Sequence, residues 1–171
     1  MHAQLLRLEK KGWKYIWGTG IGQIHYWVIN KGDKYLVGDF DNDGKDELLA
    51  IYGDWAQLME YKNGEFKMIW TNGGSGKINW WNIDSKEDNY VAANLKETGD
   101  LLIANKEPWS HVMRFENGDW TTDWSTYGGL YDGWYYHAPD TYIAGNWLKD
   151  GGEEILAINK PHWQILNYLF N

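Results

Sequence analysis

The chain of 171 residues contains no cysteine, so neither a disulfide framework nor thiolate chemistry is open to it. Proline occurs three times and helix signals are almost absent. No run of 18 apolar residues is present, which excludes a membrane-spanning helix. The first 15 residues lack the unbroken apolar core of a signal peptide. Basic residues are in deficit: 16 Lys and Arg stand against 24 Asp and Glu, for a net charge of −8. Nucleic acid and anionic membrane surfaces are therefore not expected partners, because phosphate binding is driven by clustered Lys and Arg. Catalytic constellations are also missing. The five His are scattered without metal-ligand spacing, and none of the four Ser lies in a nucleophile elbow. The stretch GTGIGQ at 18–23 lacks the Lys-Ser/Thr of a phosphate loop. A non-catalytic protein is expected.

What is abundant is tryptophan (13), tyrosine (12) and glycine (20), a composition suited to many short strands joined by tight turns. The tryptophans are periodic. Trp17, Trp70 and Trp124 are 53 and 54 residues apart, and Trp55, Trp109 and Trp163 are 54 and 54 apart. AQLLRLEKKGWKYIW at 3–17 aligns without a gap on AQLMEYKNGEFKMIW at 56–70, and more loosely on SHVMRFENGDWTTDW at 110–124. DELLAIYGDW at 46–55 likewise matches GDLLIANKEPW at 99–109 and EEILAINKPHW at 153–163, within a residue of slack. The chain thus reads as one domain over 1–171 with repeats near 3–55, 56–109 and 110–163, and a fourth partial copy of one strand at 163–169.

Within the first repeat, strands are expected near 33–40, 46–52, 56–61 and 66–70. Asn63-Gly64 and Asn117-Gly118 are strong hairpin-turn signals. Four short strands in about 54 residues is the size of a β-propeller blade. The predicted fold is all-β, with three such blades and a chain that starts and ends mid-blade. Three blades are fewer than the four to eight that close a ring. Self-association is therefore expected, most simply a dimer of six blades.

The stretch YLVGDFDNDGKDELLAI at 35–51 places an acidic turn between two apolar strands. Asp39, Asp41 and Asp43 alternate, Gly44 supplies a sharp turn, and Glu47 closes the run at the ninth position. Hard oxygen donors at every second position suit Ca²⁺. In a helix–loop–helix site the closing Glu would fall at the twelfth position, which is Ala50, and both flanks are strand-like here. The prediction is a calcium-bridged β-hairpin; a solvated acidic turn binding nothing is the alternative.

With its Trp-rich repeat, GDFDNDGKDELLAI resembles the FG-GAP/VCBS unit, the blade of the integrin α-subunit propeller and of many secreted bacterial propellers. The resemblance implies Ca²⁺ held by the side chains of Asp39, Asp41, Asp43 and Glu47 and the Lys45 carbonyl. The second loop departs from that pattern, with Asn94, Lys96 and Thr98 at the alternating positions. Lys96 would put an ammonium where the ion should sit. The third keeps Asn146, Asp150 and Glu154 but has Leu148 at one ligand position. One good site, one dead site and one weak or empty site are expected. The family also implies an extracellular or cell-surface setting.

The tryptophans admit two readings. One is packing between twisted sheets. The other is carbohydrate binding, in which indoles stack on the apolar face of a sugar beside polar groups that take its hydroxyls. The Trp pattern is loosely similar to the seven-bladed bacterial propeller lectins, which carry their pockets between blades. The candidate residues are Trp27, Trp81 and Trp134 in the glycine-rich connections, then Trp17, Trp70 and Trp124. The expected function is multivalent glycan recognition by a Ca²⁺-stabilised module. The alternative is a protein–protein adhesion or scaffold propeller that binds a cell-surface protein and no sugar.

Overall fold

The computed structural model describes residues 2–84, 86–95, 99–127, 130–131, 134–135, 140–148, 152–159 and 162–166. Nineteen strands and no helix occur among them, and every pairing is antiparallel. The strands anticipated in the first repeat fall close to their predicted limits.

The chain opens with a two-stranded hairpin, β1 (Ala3–Glu9) and β2 (Gly12–Thr19). A short ribbon follows, β3 (Gln23–Ile24) and β4 (Trp27–Val28). A four-stranded meander comes next: β5 (Lys34–Gly38), β6 (Glu47–Tyr52), β7 (Trp55–Lys62) and β8 (Glu65–Thr71). The same series then recurs. It comprises the ribbon β9 (Lys77–Ile78) and β10 (Trp81–Asn82), then β11 (Asn89–Ala93), β12 (Leu101–Lys106), β13 (Trp109–Glu116) and β14 (Asp119–Tyr127) in one sheet. A third ribbon, β15 (Leu130–Tyr131) and β16 (Trp134–Tyr135), precedes a three-stranded sheet of β17 (Thr141–Gly145), β18 (Glu154–Asn159) and β19 (His162–Leu166).

Local chemistry sets this pattern. Asn63 and Gly64 both have positive φ (56° and 89°), as do Asn117 and Gly118 (54° and 82°). These are the two-residue turns whose twist matches the strands they join. A register shift falls between Leu5 and Leu6, between Leu58 and Met59, and between Val112 and Met113. The bulge therefore occupies one place in all three alignable hairpins. The strand register corrects one detail of the sequence alignment. Trp55 and Trp109 pair with Tyr52 and Lys106, but the corresponding partner of Asn159 is His162 and not Trp163.

Apolar clusters lie between successive sheets. Phe40, Leu49 and Leu58 of the first full sheet pack on Leu102, Met113 and Trp120 of the second. Ile103 and Val112 of the second pack on Ile155 and Leu166 of the third. Leu49, Leu58 and Met113 are fully buried.

Polar contacts repeat at each step. The Asp100 carboxylate accepts from the Asp39 backbone N–H (2.7 Å), while the Asp100 N–H donates to the Asp39 carbonyl (2.8 Å). Glu153 makes the same two-way clasp with Asn94, at 2.9 and 2.8 Å. Gly38 is required at the first of these clasps, since a Cβ there would lie 2.6 Å from the Asp100 carboxylate. Lys34 Nζ donates to the Asp88 carbonyl, and Asn89 Nδ2 to that of Asp140 (2.9 Å).

Candidate functional site

Three features recur with the sheets: a buried Trp–Asp–Tyr brace, an aromatic cleft and the strand-1 to strand-2 loop.

In the brace, Trp27, Trp81 and Trp134 donate Nε1–H to Asp33, Asp88 and Asp140, at 2.9, 2.9 and 3.1 Å. The hydroxyls of Tyr35, Tyr90 and Tyr142 donate to the same carboxylates, at 2.6, 2.5 and 2.9 Å. Asp33 also takes the Asn30 N–H, and Asp88 that of Asp84. Burial pushes the Asp88 carboxyl above its ordinary range. Burial, reinforced by Asp88, pushes the Tyr90 hydroxyl far up, so it remains a donor. The three indoles are only 5–8% exposed. They are therefore not the open stacking platforms anticipated from the glycines around them; they anchor each ribbon to the next sheet.

Above two of these anchors lie equivalent clefts. The first, about 450 Å³, is lined by Tyr26, Trp27, Val28, Tyr52, Trp55 and Gln57, among others. The second, about 400 Å³, is lined by Trp80, Trp81, Asn82, Lys106, Trp109 and His111. Each residue named in the second stands 54 positions after its counterpart in the first. The two-residue ribbon turns, with positive φ at His25 and Asn79, lift Tyr26 and Trp80 outward, each 76% exposed. The hairpin between the second and third strands supplies the facing wall, Trp55 (54% exposed) or Trp109 (48%). At the base sit Gln57 Nε2 and His111 Nδ1, both buried and both lacking a hydrogen-bond partner among the described residues. Burial lowers the His111 pKa, so its ring is neutral near pH 7. A polar atom left in this way costs roughly 1–3 kcal/mol unless something meets it.

Trp17, Trp70 and Trp124, the second candidate set, are half-buried and pack into the inter-sheet clusters. Trp17 stands edge-on to Phe66 at 5.0 Å, and Trp70 edge-on to Trp120 at 6.1 Å while its Nε1–H donates to Asp119.

In the first loop, one carboxylate oxygen each from Asp39, Asp41 and Asp43 fall within 4.8 Å of one another. Asn42 (φ 59°) and Gly44 (φ 85°) fold the chain back so that they converge. Burial, then the neighbouring charges of Asp43, Asp39 and Glu60, hold the Asp41 pKa up. Three converging carboxylates form a hard, anionic oxygen donor set that fits a divalent cation such as Ca²⁺. Lys45 Nζ now lies 2.7 Å from Asp43 and would have to leave it. Glu47 stands apart from that cluster. It is 2% exposed, and its Oε2 accepts from the N–H groups of Phe40 (3.0 Å) and Asp41 (3.3 Å). Glu154 does the same for Trp147 (2.7 Å) and Leu148 (3.0 Å). This acid shapes the loop from beneath in both repeats. Lys96, Thr98 and Asp150, named for the other two loops, lie outside the described residues, as do Gly128, Gly129 and Gly133.

The Glu47 carboxyl is pushed up to about 7 by burial. Its folded pKa thus exceeds its unfolded value, and the folded state binds more protons between pH 4.5 and 7. Stability must then fall as pH rises through that window. Asp41, Asp88 and Asp100 shift in the same direction. In chelator, the melting temperature is expected to be several degrees higher at pH 5 than at pH 7.5, measured by thermal circular dichroism. Glu47→Gln should flatten most of that slope.

Compared with known proteins, the chain matches no family model and no curated protein. Among the described residues no helix is long and apolar enough to cross a membrane.

Proposed function

We propose that this chain is a non-catalytic carbohydrate-binding module of propeller-type blades, secreted or surface-exposed, with Ca²⁺ bracing the first blade hairpin. The observation that carries the reading is the pair of 54-residue-related clefts. Each presents two exposed aromatic walls beside a polar side chain, Gln57 or His111. A pyranose meets that combination, stacking its C–H face on an indole and turning a hydroxyl to Gln57 or His111. Repetition adds avidity, because a second weak site on the same molecule engages at a raised effective concentration. The resemblance of GDFDNDGKDELLAI to the FG-GAP/VCBS loop supports the same reading, since three of the donors it implies, Asp39, Asp41 and Asp43, converge.

The test is a glycan array in calcium buffer, followed by titration calorimetry with the best monosaccharide. Trp55→Ala and Trp109→Ala should each remove one class of site. The double variant should lose binding by at least about 100-fold while melting within a few degrees of wild type, because both rings are half exposed. A blank array with folded protein would overturn the sugar reading in favour of a protein-binding propeller.

A further inference from the structure

We propose that two copies of this chain close head to tail, the β17–β18 pair of one filling the groove beside β1–β2 of the other. The groove, about 620 Å³, lies between β1–β2 and the first full sheet. Ala3, Leu5 and Trp17 line one side, and Tyr35, Val37 and Leu48 the other.

The chain makes this interface twice within itself, and the internal copies show what is absent from the groove. Between the first and second full sheets, Ala56, Leu58 and Trp70 correspond to Ala3, Leu5 and Trp17. Across from them, Tyr90, Ala92 and Leu102 hold the places of Tyr35, Val37 and Leu48. Four further residues fill the middle of that cluster: Leu36, Phe40, Leu49 and Ile51 from β5–β6 and their loop. Among the described residues no first or second strand pairs with β1–β2 to supply them. The exposed lining registers the loss: Val37 of β5 is 59% exposed.

The four missing residues exist at the other end of the chain. Register places Ile143 at the position of Leu36, Leu156 at Leu49 and Ile158 at Ile51, and the loop places Trp147 at Phe40. Ile143 is 43% and Trp147 47% exposed, and Leu156 and Ile158 are half-buried. Phe40, Leu49 and Ile51 are 0–2% exposed. One end of the chain therefore bares the face that the groove at the other end lacks, and the closing contact continues an interface already used twice. Asp46, which lines the groove, holds the place of Asp100 and Glu153 and would clasp the backbone at Asn146 of the second copy.

Strand exchange accompanies the docking. β19 reads HWQIL and β1 HAQLL at 2–6, and β18 pairs Ala157 with Gln164 as β6 pairs Ala50 with Gln57. β1 of the second copy takes the place of β19, bringing β2 as a fourth strand to a sheet that has three among the described residues. Exchange of identical elements between copies is a low-cost route to a dimer. It also pairs the open edge of β1. The product holds six four-stranded sheets, within the range that closes a ring.

Sedimentation velocity should give wild type a mass twice the chain's 20.0 kDa at micromolar concentration. Val37→Glu and Ile143→Glu, on opposite halves of the interface, should each yield monomer with an unchanged circular dichroism spectrum, since both side chains are exposed in one copy. Gln164→Pro, which weakens only β19, should leave the dimer intact. A wild type that stays monomeric at 100-fold higher concentration, or a dimer indifferent to both Glu variants, would overturn the proposal. Loss of the dimer in Gln164→Pro would overturn the exchange.

Discussion

Asp88→Ala is expected to destabilise the protein by about 3–5 kcal/mol, the range for breaking a buried polar network by removing its central member. The carboxylate is 3% exposed and accepts from Trp81 Nε1, the Tyr90 hydroxyl and the Asp84 N–H. Truncation leaves these donors without their acceptor, each costing roughly 1–3 kcal/mol where water does not replace it. It also loosens the ribbon β9–β10 that carries Trp80 over the second cleft. Asp88→Asn keeps one acceptor oxygen at nearly the same volume, so its cost should stay near 1–2 kcal/mol. Urea unfolding would separate the two. A midpoint for Asp88→Ala within 1 kcal/mol of wild type would mean that the brace is incidental to the fold. Asp33→Ala should cost less, because Asp33 is only half-buried.

Calcium is expected to raise stability by about 3 kcal/mol when free ion exceeds its dissociation constant roughly 100-fold, following RT ln(1 + [L]/Kd). Asp39, Asp41 and Asp43 converge, so in chelator their charges repel, relieved in part by the exposed Lys45 ammonium on Asp43. That repulsion gives the prediction two opposed signs. In chelator, Asp41→Asn should slightly raise the melting temperature by relieving it. In calcium the same variant should lose most of the increment that wild type gains. Differential scanning calorimetry in both buffers reads both effects. If chelator abolished glycan binding without moving the melting curve, the ion would be part of the ligand site and not a brace for the hairpin.

Much of the strand order was legible because the signals are local. Asn63-Gly64 and Asn117-Gly118 mark turns by backbone preference alone, and the alternating Asp39, Asp41 and Asp43 mark a loop whose donors must converge. Glu47, Glu153 and Glu154 each hold a backbone N–H group of a loop. The brace was not legible. Its Trp-to-Asp spacing is six, seven and six residues, and nothing in a sequence says that an indole N–H will find a carboxylate below the surface. Without that partner, Trp27, Trp81 and Trp134 looked available for stacking. The clefts were hidden for a different reason. Their exposed walls, Tyr26 and Trp80, are different residue types, and so are Gln57 and His111 at the base. The 54-residue spacing pairs these positions, but only the structure shows that they face one cleft.

The inter-sheet clasp bears on how such a chain could arise and change. Asp39 offers the backbone groups that Asp100 grips, and Asn94 those that Glu153 grips. Each copy of the unit thus carries both halves of the joint, a grip for the unit before it and a handle for the unit after. Tandem duplication of about 54 codons would deliver a new member already fitted to both neighbours, and deletion of one would leave the remaining joints whole. Each joint is thus local to two units, so cleft residues such as Gln57 and His111 are free to diverge one unit at a time.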